Sequence, residues 1–190
     1  RFAFPQHEPV AGARPETFDL VDEVSGGHVV VYCDADLRSF RAAMPDAVTE
    51  QLDLAHGSSA ALGVEQSVGK YLIPLSTFRD HREVVERHAD HVFLKHGRGH
   101  RETPCSFETE NWLRLLGWYV TEGSVDRAAG RITLHQRDEE GRRRIRRLLD
   151  RMGINHSVDE RGINVSNRYL LDWLADNCGE GAANKRLPER

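Results

Sequence analysis

The segment that decides the fold is LLGWYVTEGSV, Leu115–Val125. Apolar side chains within it and just before it recur at Trp112, Leu113, Leu116, Tyr119 and Val120. This spacing predicts one face of a helix of about three turns. Gly117 inside the helix costs about 1 kcal/mol against alanine, and close approach by a second helix would offset that cost. Glu122 and Gly123 follow at the helix end, where a carboxylate is unfavourable beside the negative end of the helix dipole. A bound metal ion would compensate for it.

The residues that follow predict strands in pairs. Arg131–Gln136, RITLHQ, alternates polar and apolar side chains after a turn at Gly130. His156–Glu160 and Ile163–Ser166 predict a second hairpin around Arg161-Gly162.

Two more helices are predicted around the second hairpin. The first has an apolar face formed by Ile145, Leu148, Leu149 and Met152, and its outer side carries Arg142, Arg143, Arg144, Arg146, Arg147 and Arg151. Asn167 is expected to cap the last helix. The order is therefore α-β-β-α-β-β-α, with the helices on one face of a four-stranded sheet. The other, polar face is free to lie along a DNA groove.

LLGWYVTEGSV resembles the dodecapeptide motif of LAGLIDADG homing endonucleases, in the DOD-type variant of intein-embedded enzymes. RITLHQ, NHSVDERGINVSN and GAANKRLPE follow in the order of one repeat and of the segment that leads to a second repeat. The resemblance covers Phe107–Arg190. HVVVYCDADLRSF and GVEQSVGKYLIPLSTFR are similar, less specifically, to the helical region that precedes the motif in archaeal inteins. The resemblance implies an α+β endonuclease half-domain that contains only the first repeat.

The resemblance also implies roles for individual residues. Glu122 would be a catalytic residue and the ligand of Mg²⁺, which prefers carboxylate oxygens. Gly117 and Gly123 would serve helix packing and the turn, and Gln136, or its neighbour His135, would position water. Candidate DNA contacts from the strands and turns are Arg127, Arg131, Thr133, His135, Arg161 and Asn164; a solvated polar sheet face is the alternative for each.

One motif supplies only one acid, so cleavage of double-stranded DNA would need a second repeat, from a homodimer or from a missing C-terminal half. Protein splicing requires a nucleophile at the first position and a terminal asparagine, whereas the chain has Arg1 and Arg190. We therefore expect an internal fragment of an intein, or a relic of one. The alternative function is a non-catalytic DNA-binding protein or regulator with the same fold.

The residues before the motif predict a separate module. Residues 1–27 read as an extended lead-in, and residues 28–93 as a mainly helical domain with a strand at His28–Cys33. Helices are expected from a cap at Asp36 to Met44, over Ala47–Ala55, in two runs within Ser58–Leu72, and over Thr77–Asp90. Short helices joined by a glycine turn suit a helix-turn-helix or, equally, a small bundle. Residues 94–106 are expected to form a linker.

Composition supports a globular, cytoplasmic protein. Hydrophobic residues make up 39% and charged residues 29%, and no apolar stretch approaches the roughly 18 residues of a membrane span. Residues 1–106 carry 11 basic and 16 acidic side chains, a net −5, whereas residues 107–190 carry 15 and 14, a net +1. The C-terminal half is therefore the better partner for a polyanion.

Histidines between residues 81 and 100 raise a third hypothesis, a zinc module. His88 and His91 have the spacing of one helix face, and Cys105 follows. No pair of cysteines completes a tetrahedral ligand set. A solvated, histidine-rich linker is the preferred interpretation.

Overall fold

A computed structural model describes residues 16–33, 37–54, 69–95 and 102–188. These residues form antiparallel sheets of two, four and five strands, with short helices before residue 89 and longer helices after residue 108. None of the helices in these ranges has the length and apolar character that crossing a membrane requires.

The N-terminal half is built on the five-stranded sheet, in the order β3-β4-β2-β5-β6. Its elements are β1 (Thr17–Phe18), α1 (Leu20–Glu23), β2 (His28–Cys33), α2 (Leu37–Ala43), α3 (Asp46–Thr49), β3 (Asp53–Leu54), β4 (Gly69–Pro74), α4 (Leu75–Asp80), α5 (Arg82–His88), β5 (His91–Lys95) and β6 (Glu102–Pro104). Alternate residues of the central strand β2, Val29 and Val31, are fully buried in the core. The β-branched run His28–Cys33 thus forms the predicted strand, at the centre of a sheet.

The sheet corrects several helix predictions. Residues 69–72, expected to end a helix, belong to β4, where Tyr71 and Ile73 pair with Val31 and Val29 of β2. Pairing and burial of alternate side chains therefore override the local helical spacing. The helix expected over Ala47–Ala55 ends at Thr49. Asp36 and residues 58–68, which include most of the expected helix-turn-helix, lie outside the described residues.

Segments expected to be irregular carry structure. Residues 16–27 of the expected lead-in include β1 and α1, and the expected linker contributes the end of β5 and the edge strand β6. The helix expected over Thr77–Asp90 is present as α4 and α5, with a break at His81. The division of the chain into domains stays a prediction.

The C-terminal half has the predicted order of elements. It comprises β7 (Phe107–Glu108), α6 (Thr109–Glu122), β8 (Gly123–Asp126), β9 (Arg131–Leu134), α7 (Glu139–Arg151), β10 (His156–Val158), β11 (Ile163–Val165) and α8 (Arg168–Cys178). The sheet order is β10-β11-β9-β8. Asn167 caps α8 as expected, because its side-chain oxygen accepts from the Leu170 N–H at 3.1 Å.

One hydrophobic core joins the two halves. Phe18 stacks on Trp112 with ring centroids 4.0 Å apart, and Trp173 meets Trp112 edge-on at 4.8 Å. The buried Asn167 side chain also donates to Thr103 Oγ1 at 2.8 Å. The C-terminal helices are therefore held directly against the N-terminal segments.

Candidate functional site

Helix α6 buries one face and leaves the opposite face open. Trp112, Leu115, Leu116 and Tyr119 are at most 3% exposed. Leu113, expected on the buried face, is 46% exposed, and Leu115 takes its place. Gly117 lies on the exposed side, and among the described residues outside its own helix no atom comes within 4 Å of where a Cβ would be. The exposed face therefore has room for another helix at Gly117.

The end of α6 passes directly into strand β8. A Cβ on Gly123 would lie 2.5 Å from the Tyr119 carbonyl oxygen, so only glycine fits between the last helical turn and the strand. The backbone N–H of His135 donates to the Glu122 carbonyl at 2.8 Å. These contacts fix the backbone of Glu122 at the boundary between helix and sheet.

Glu122 lines an open cleft of about 590 Å³. The other lining residues are His135, Gln136, Arg137, Glu160 and Arg161. Three chain segments meet here: the end of α6, the residues after β9, and the turn between β10 and β11. The fold therefore brings together four predicted site residues, Glu122, His135, Gln136 and Arg161. The sequence analysis assigned no role to Arg137 and Glu160. Each is the chain neighbour of a predicted site residue, Gln136 and Arg161 respectively, and this adjacency could have identified them.

His135 and Gln136 are oriented by different contacts. The Nε2 atom of His135 lies 2.7 Å from Ser124 Oγ on the neighbouring strand. Gln136 is turned toward α7, where its side-chain oxygen accepts from the Asp138 N–H at 3.0 Å. Of the two, His135 is therefore the better placed to contact a ligand in the cleft.

Lys185 adds a cation near Glu122. Its ammonium group donates to the Gly123 carbonyl and lies 5.3 Å from the centre of the Tyr119 ring. Burial lowers the pKa of Lys185, and the Glu122 carboxylate opposes that shift. Lys185 lies within the GAANKRLPE segment, but the sequence analysis assigned it no role.

Residues 110–175 match the family model described as a LAGLIDADG-like domain. The match covers 66 of the 190 residues. It runs from the first turn of α6 to the last turn of α8 and includes Glu122 and the whole cleft. No curated protein matches the chain.

The four-stranded sheet within the matched segment uses the side chains of two predicted DNA contacts internally. Thr133 Oγ1 donates to Asn164 Oδ1 at 2.8 Å, and Asn164 Nδ2 donates to Asp159 Oδ2 at 2.8 Å. Thr133 is 8% and Asn164 7% exposed. Because their polar groups bind one another, these residues organise the sheet and its turn. On Arg131, the buried Nε has no hydrogen-bond partner among the described residues.

Arg127 faces a cluster of acids on and after α8. It forms ion pairs with Asp176 at 2.8 Å, with Glu180, and with Asp172 at 3.6 Å. Hydrogen bonds to Asp176 and Glu180 raise the pKa of this guanidinium. Its charge is therefore balanced within the chain, which removes the main reason to expect a phosphate contact.

The donor atoms of the cleft suit a hard cation in part. Glu122 and Glu160 supply carboxylate oxygens, the ligands that Mg²⁺ prefers. Within the ranges that the structure describes, no three His, Cys, Asp or Glu side chains form a group able to hold a metal ion. Magnesium binding at the cleft therefore stays a prediction.

The zinc hypothesis concerns His88, His91 and Cys105. His88 ends α5 and His91 begins β5, and burial raises the pKa of the Cys105 thiol to about 12. Within the described residues, no three His, Cys, Asp or Glu side chains form a group able to hold a metal ion. The described part of residues 81–105 thus offers no support for a zinc site.

Proposed function

We propose that the chain is a Mg²⁺-dependent endonuclease domain that hydrolyses phosphodiester bonds of double-stranded DNA. The observation that carries the proposal is the position of Glu122 at the end of α6, in an open cleft beside His135, Arg137 and Arg161. A carboxylate that binds a cation, together with arginines that bind phosphate, is the set of groups that hydrolysis of a phosphodiester requires.

Each residue of the cleft has a role in this proposal. Glu122 binds the magnesium ion, which supplies positive charge at the phosphate and lowers the pKa of water. Arg137 and Arg161 neutralise phosphate oxygens on either side of the cleft. His135, held by Ser124, hydrogen-bonds to water or phosphate, and Gln136 supports the loop before α7. Lys185 keeps a further cation close to Glu122.

The exposed face of α6 is the proposed pairing surface. Leu113 and Gly117 are both exposed and lie four residues apart, so they share one helix face. Because Gly117 has no side chain, another α6 helix could approach closely there and bring its own Glu122 to the same DNA. The second copy comes from a homodimer or from a second repeat that follows this one.

The finer assignments rest on the sequence resemblance. We propose that the domain is the first repeat of a DOD-type homing endonuclease from an archaeal intein, and that the N-terminal half adds DNA contacts. On the sheet itself, the remaining candidate for a DNA contact is Arg131.

A DNA-binding protein without nuclease activity is the second candidate. The observation that favours it is the incomplete set of metal ligands in the described residues. Such a protein would use the same cleft and pairing face to hold DNA, and Glu122 would have no catalytic role.

Nicking of a supercoiled plasmid separates the two candidates. The native protein, Glu122→Gln and the control Glu83→Gln are compared with and without Mg²⁺. Glu83 is a suitable control because its side chain is 88% exposed on α5, outside the cleft. The proposal expects metal-dependent nicking by the native and control proteins and its loss in Glu122→Gln, with DNA binding retained by all three. Binding without nicking by any of them would favour the second candidate.

A further inference from the structure

Helix α7 carries a basic surface that the proposed function does not use. Ile145, Leu148 and Leu149 are at most 2% exposed, so their side of α7 packs into the core. The opposite side faces away from the protein. The helix has six arginines, of which Arg143, Arg144, Arg146, Arg147 and Arg151 are exposed.

The positive charge of this surface is only partly balanced. Glu140 pairs with Arg143 at 3.0 Å and with Arg144 at 3.1 Å. Arg146, Arg147 and Arg151 form no ion pair with any residue that the structure describes. Like charges four residues apart, as at Arg147 and Arg151, repel each other and destabilise a helix. An anionic partner would turn this cost into a favourable interaction.

Several exposed arginines outside α7 are paired with acids. Arg87 and Arg114 each pair with a glutamate one turn earlier, Arg168 pairs with Asp172 one turn later, and Arg127 contacts three acids. Arg41, Arg137, Arg161 and Arg186 are also exposed without an ion pair to a described residue, but they lie on separate segments. Helix α7 carries three such arginines on one helix, in a chain whose net charge is −4.

The spacing of the arginines suits a phosphate backbone. Arg143, Arg147 and Arg151 follow one another at four-residue intervals, so their positions rise by about 6 Å per step and about 12 Å in total. One strand of duplex DNA carries a charge every ~3.4 Å along its axis, so this row faces three or four phosphates. The planar guanidinium group also matches phosphate better than a point charge does.

The row lies on the opposite side of the sheet from the polar face. α7 packs on the side of Ile132, Leu134 and Ile163, whereas Thr133 and Asn164 point the other way from the same strands. The outer side of α7 and a duplex along the polar face would therefore lie on opposite sides of the sheet. We infer that this side of α7, defined by Arg143, Arg146, Arg147 and Arg151, binds the backbone of a second duplex segment. Binding of the first duplex is part of the proposed function, and this inference rests on it.

A bridging experiment tests the inference. One biotinylated duplex is fixed on beads, full-length protein is added in EDTA to prevent cleavage, and recruitment of a second, fluorescent duplex is measured. The native protein should recruit it, and Arg147→Gln/Arg151→Gln should lose most of this recruitment while staying on the first duplex. The charge-matched control, Arg127→Gln/Arg168→Gln, removes two arginines that pair with acids and should behave as the native protein does.

The salt dependence of recruitment measures how many phosphate contacts the α7 surface makes. Loss of two phosphate contacts should lower the logarithmic salt slope by about 1.8. Equal recruitment by the α7 variant and the native protein would overturn the inference, as would native protein that binds the first duplex but recruits no second. Binding of poly-glutamate that depends on α7, without duplex recruitment, would assign the surface to an acidic protein instead. If no duplex is bound at all, the proposed function fails as well.

Discussion

Asp159 illustrates how one carboxylate organises the turn that borders the cleft. It accepts from Asn164 Nδ2 and from the backbone N–H groups of Arg161 and Gly162. The hydrogen bond from Asn164 and those from the backbone lower the pKa of Asp159 below its ordinary value of 3.8. The ionised form is therefore the one that stabilises the fold.

We predict that this contribution depends on pH. A depressed pKa means that the stabilisation is complete above the unfolded value of about 3.8 and is lost as the pH falls through the lower, folded value. The difference in unfolding free energy between the native protein and Asp159→Asn should thus shrink below about pH 4. Urea unfolding across pH 2–6 measures it, and a difference that stays constant with pH would show that Asp159 does not titrate as described.

Arg161 and Arg127 should differ in their effect on DNA binding. Arg161 lines the cleft, whereas the charge of Arg127 is balanced by Asp176 and Glu180. Arg161→Gln should lower the logarithmic salt slope of DNA binding by about 0.9, and Arg127→Gln should leave it unchanged. Fluorescence anisotropy over a salt series checks both variants. A larger loss in Arg127→Gln would mean that the acids release this arginine to DNA.

The fold brings four predicted site residues into one cleft and uses two others within the sheet. Glu122, His135, Gln136 and Arg161 are close to helix ends and turns, where local pattern fixes position. Thr133 and Asn164 were expected to be free because alternation along a strand shows which face a residue occupies. Alternation does not show which residue lies opposite on the next strand. Here Thr133 and Asn164 lie opposite each other, and their side chains hydrogen-bond to one another.

At the scale of the element, Gly117 separates the stability of α6 from its proposed pairing. With no described neighbour within 4 Å of a Cβ, Gly117→Ala should stabilise the unpaired chain by about 1 kcal/mol, a rise of about 2–4 °C in Tm. The same methyl group should weaken pairing, because it keeps two helices apart. Thermal unfolding and sedimentation in the presence of DNA measure the two effects.

Gly141 provides a matched control within α7. A Cβ there would lie 2.8 Å from the Gln136 side chain, so Gly141→Ala should give a smaller gain in Tm or none. A lower Tm in Gly117→Ala would indicate that α6 is already packed at this position. Unchanged self-association would remove Gly117 from the pairing surface.

Elements were predictable where one periodicity dominates. Helices α6, α7 and α8 follow the 3.6-residue pattern, and β9 and β11 the alternation of a sheet with one buried face. β4 was missed because GKYLIP has apolar residues at consecutive positions, 71–73, which fit either structure. Its pairing with β2 decides between them, and that contact joins residues about 40 positions apart.

For the whole molecule, the shared core predicts one cooperative unfolding transition. Trp173 is 5% exposed, contacts Phe18 and Trp112, and donates its indole N–H to Glu23 at 3.4 Å. Trp173→Ala should cost about 3–5 kcal/mol and should lower the stability of both halves together. Urea transitions followed by far-UV circular dichroism and by fluorescence of the remaining tryptophans should coincide in the native protein and the variant. Separate transitions would show two independent units.

The sequence indicated two modules but not their shared core. Residues 94–106 contain glycine, proline and charged side chains, which are typical of linkers, yet Thr103 and Cys105 are buried. Composition describes a segment by itself, and the contact between Thr103 and Asn167 depends on the position of α8. The predicted linker therefore partly forms the edge strand β6 of the five-stranded sheet.

The central claim is that two copies of Glu122 act together on DNA, and mixing of chains tests it most directly. Native and Glu122→Gln chains are combined in equal amounts at a constant total concentration, and Mg²⁺-dependent double-strand cleavage of a plasmid is measured. If pairing is random and both acids are needed, cleavage should fall to about one quarter of that by native chains alone. A fall to only about one half would mean that each chain acts alone and would contradict the paired site.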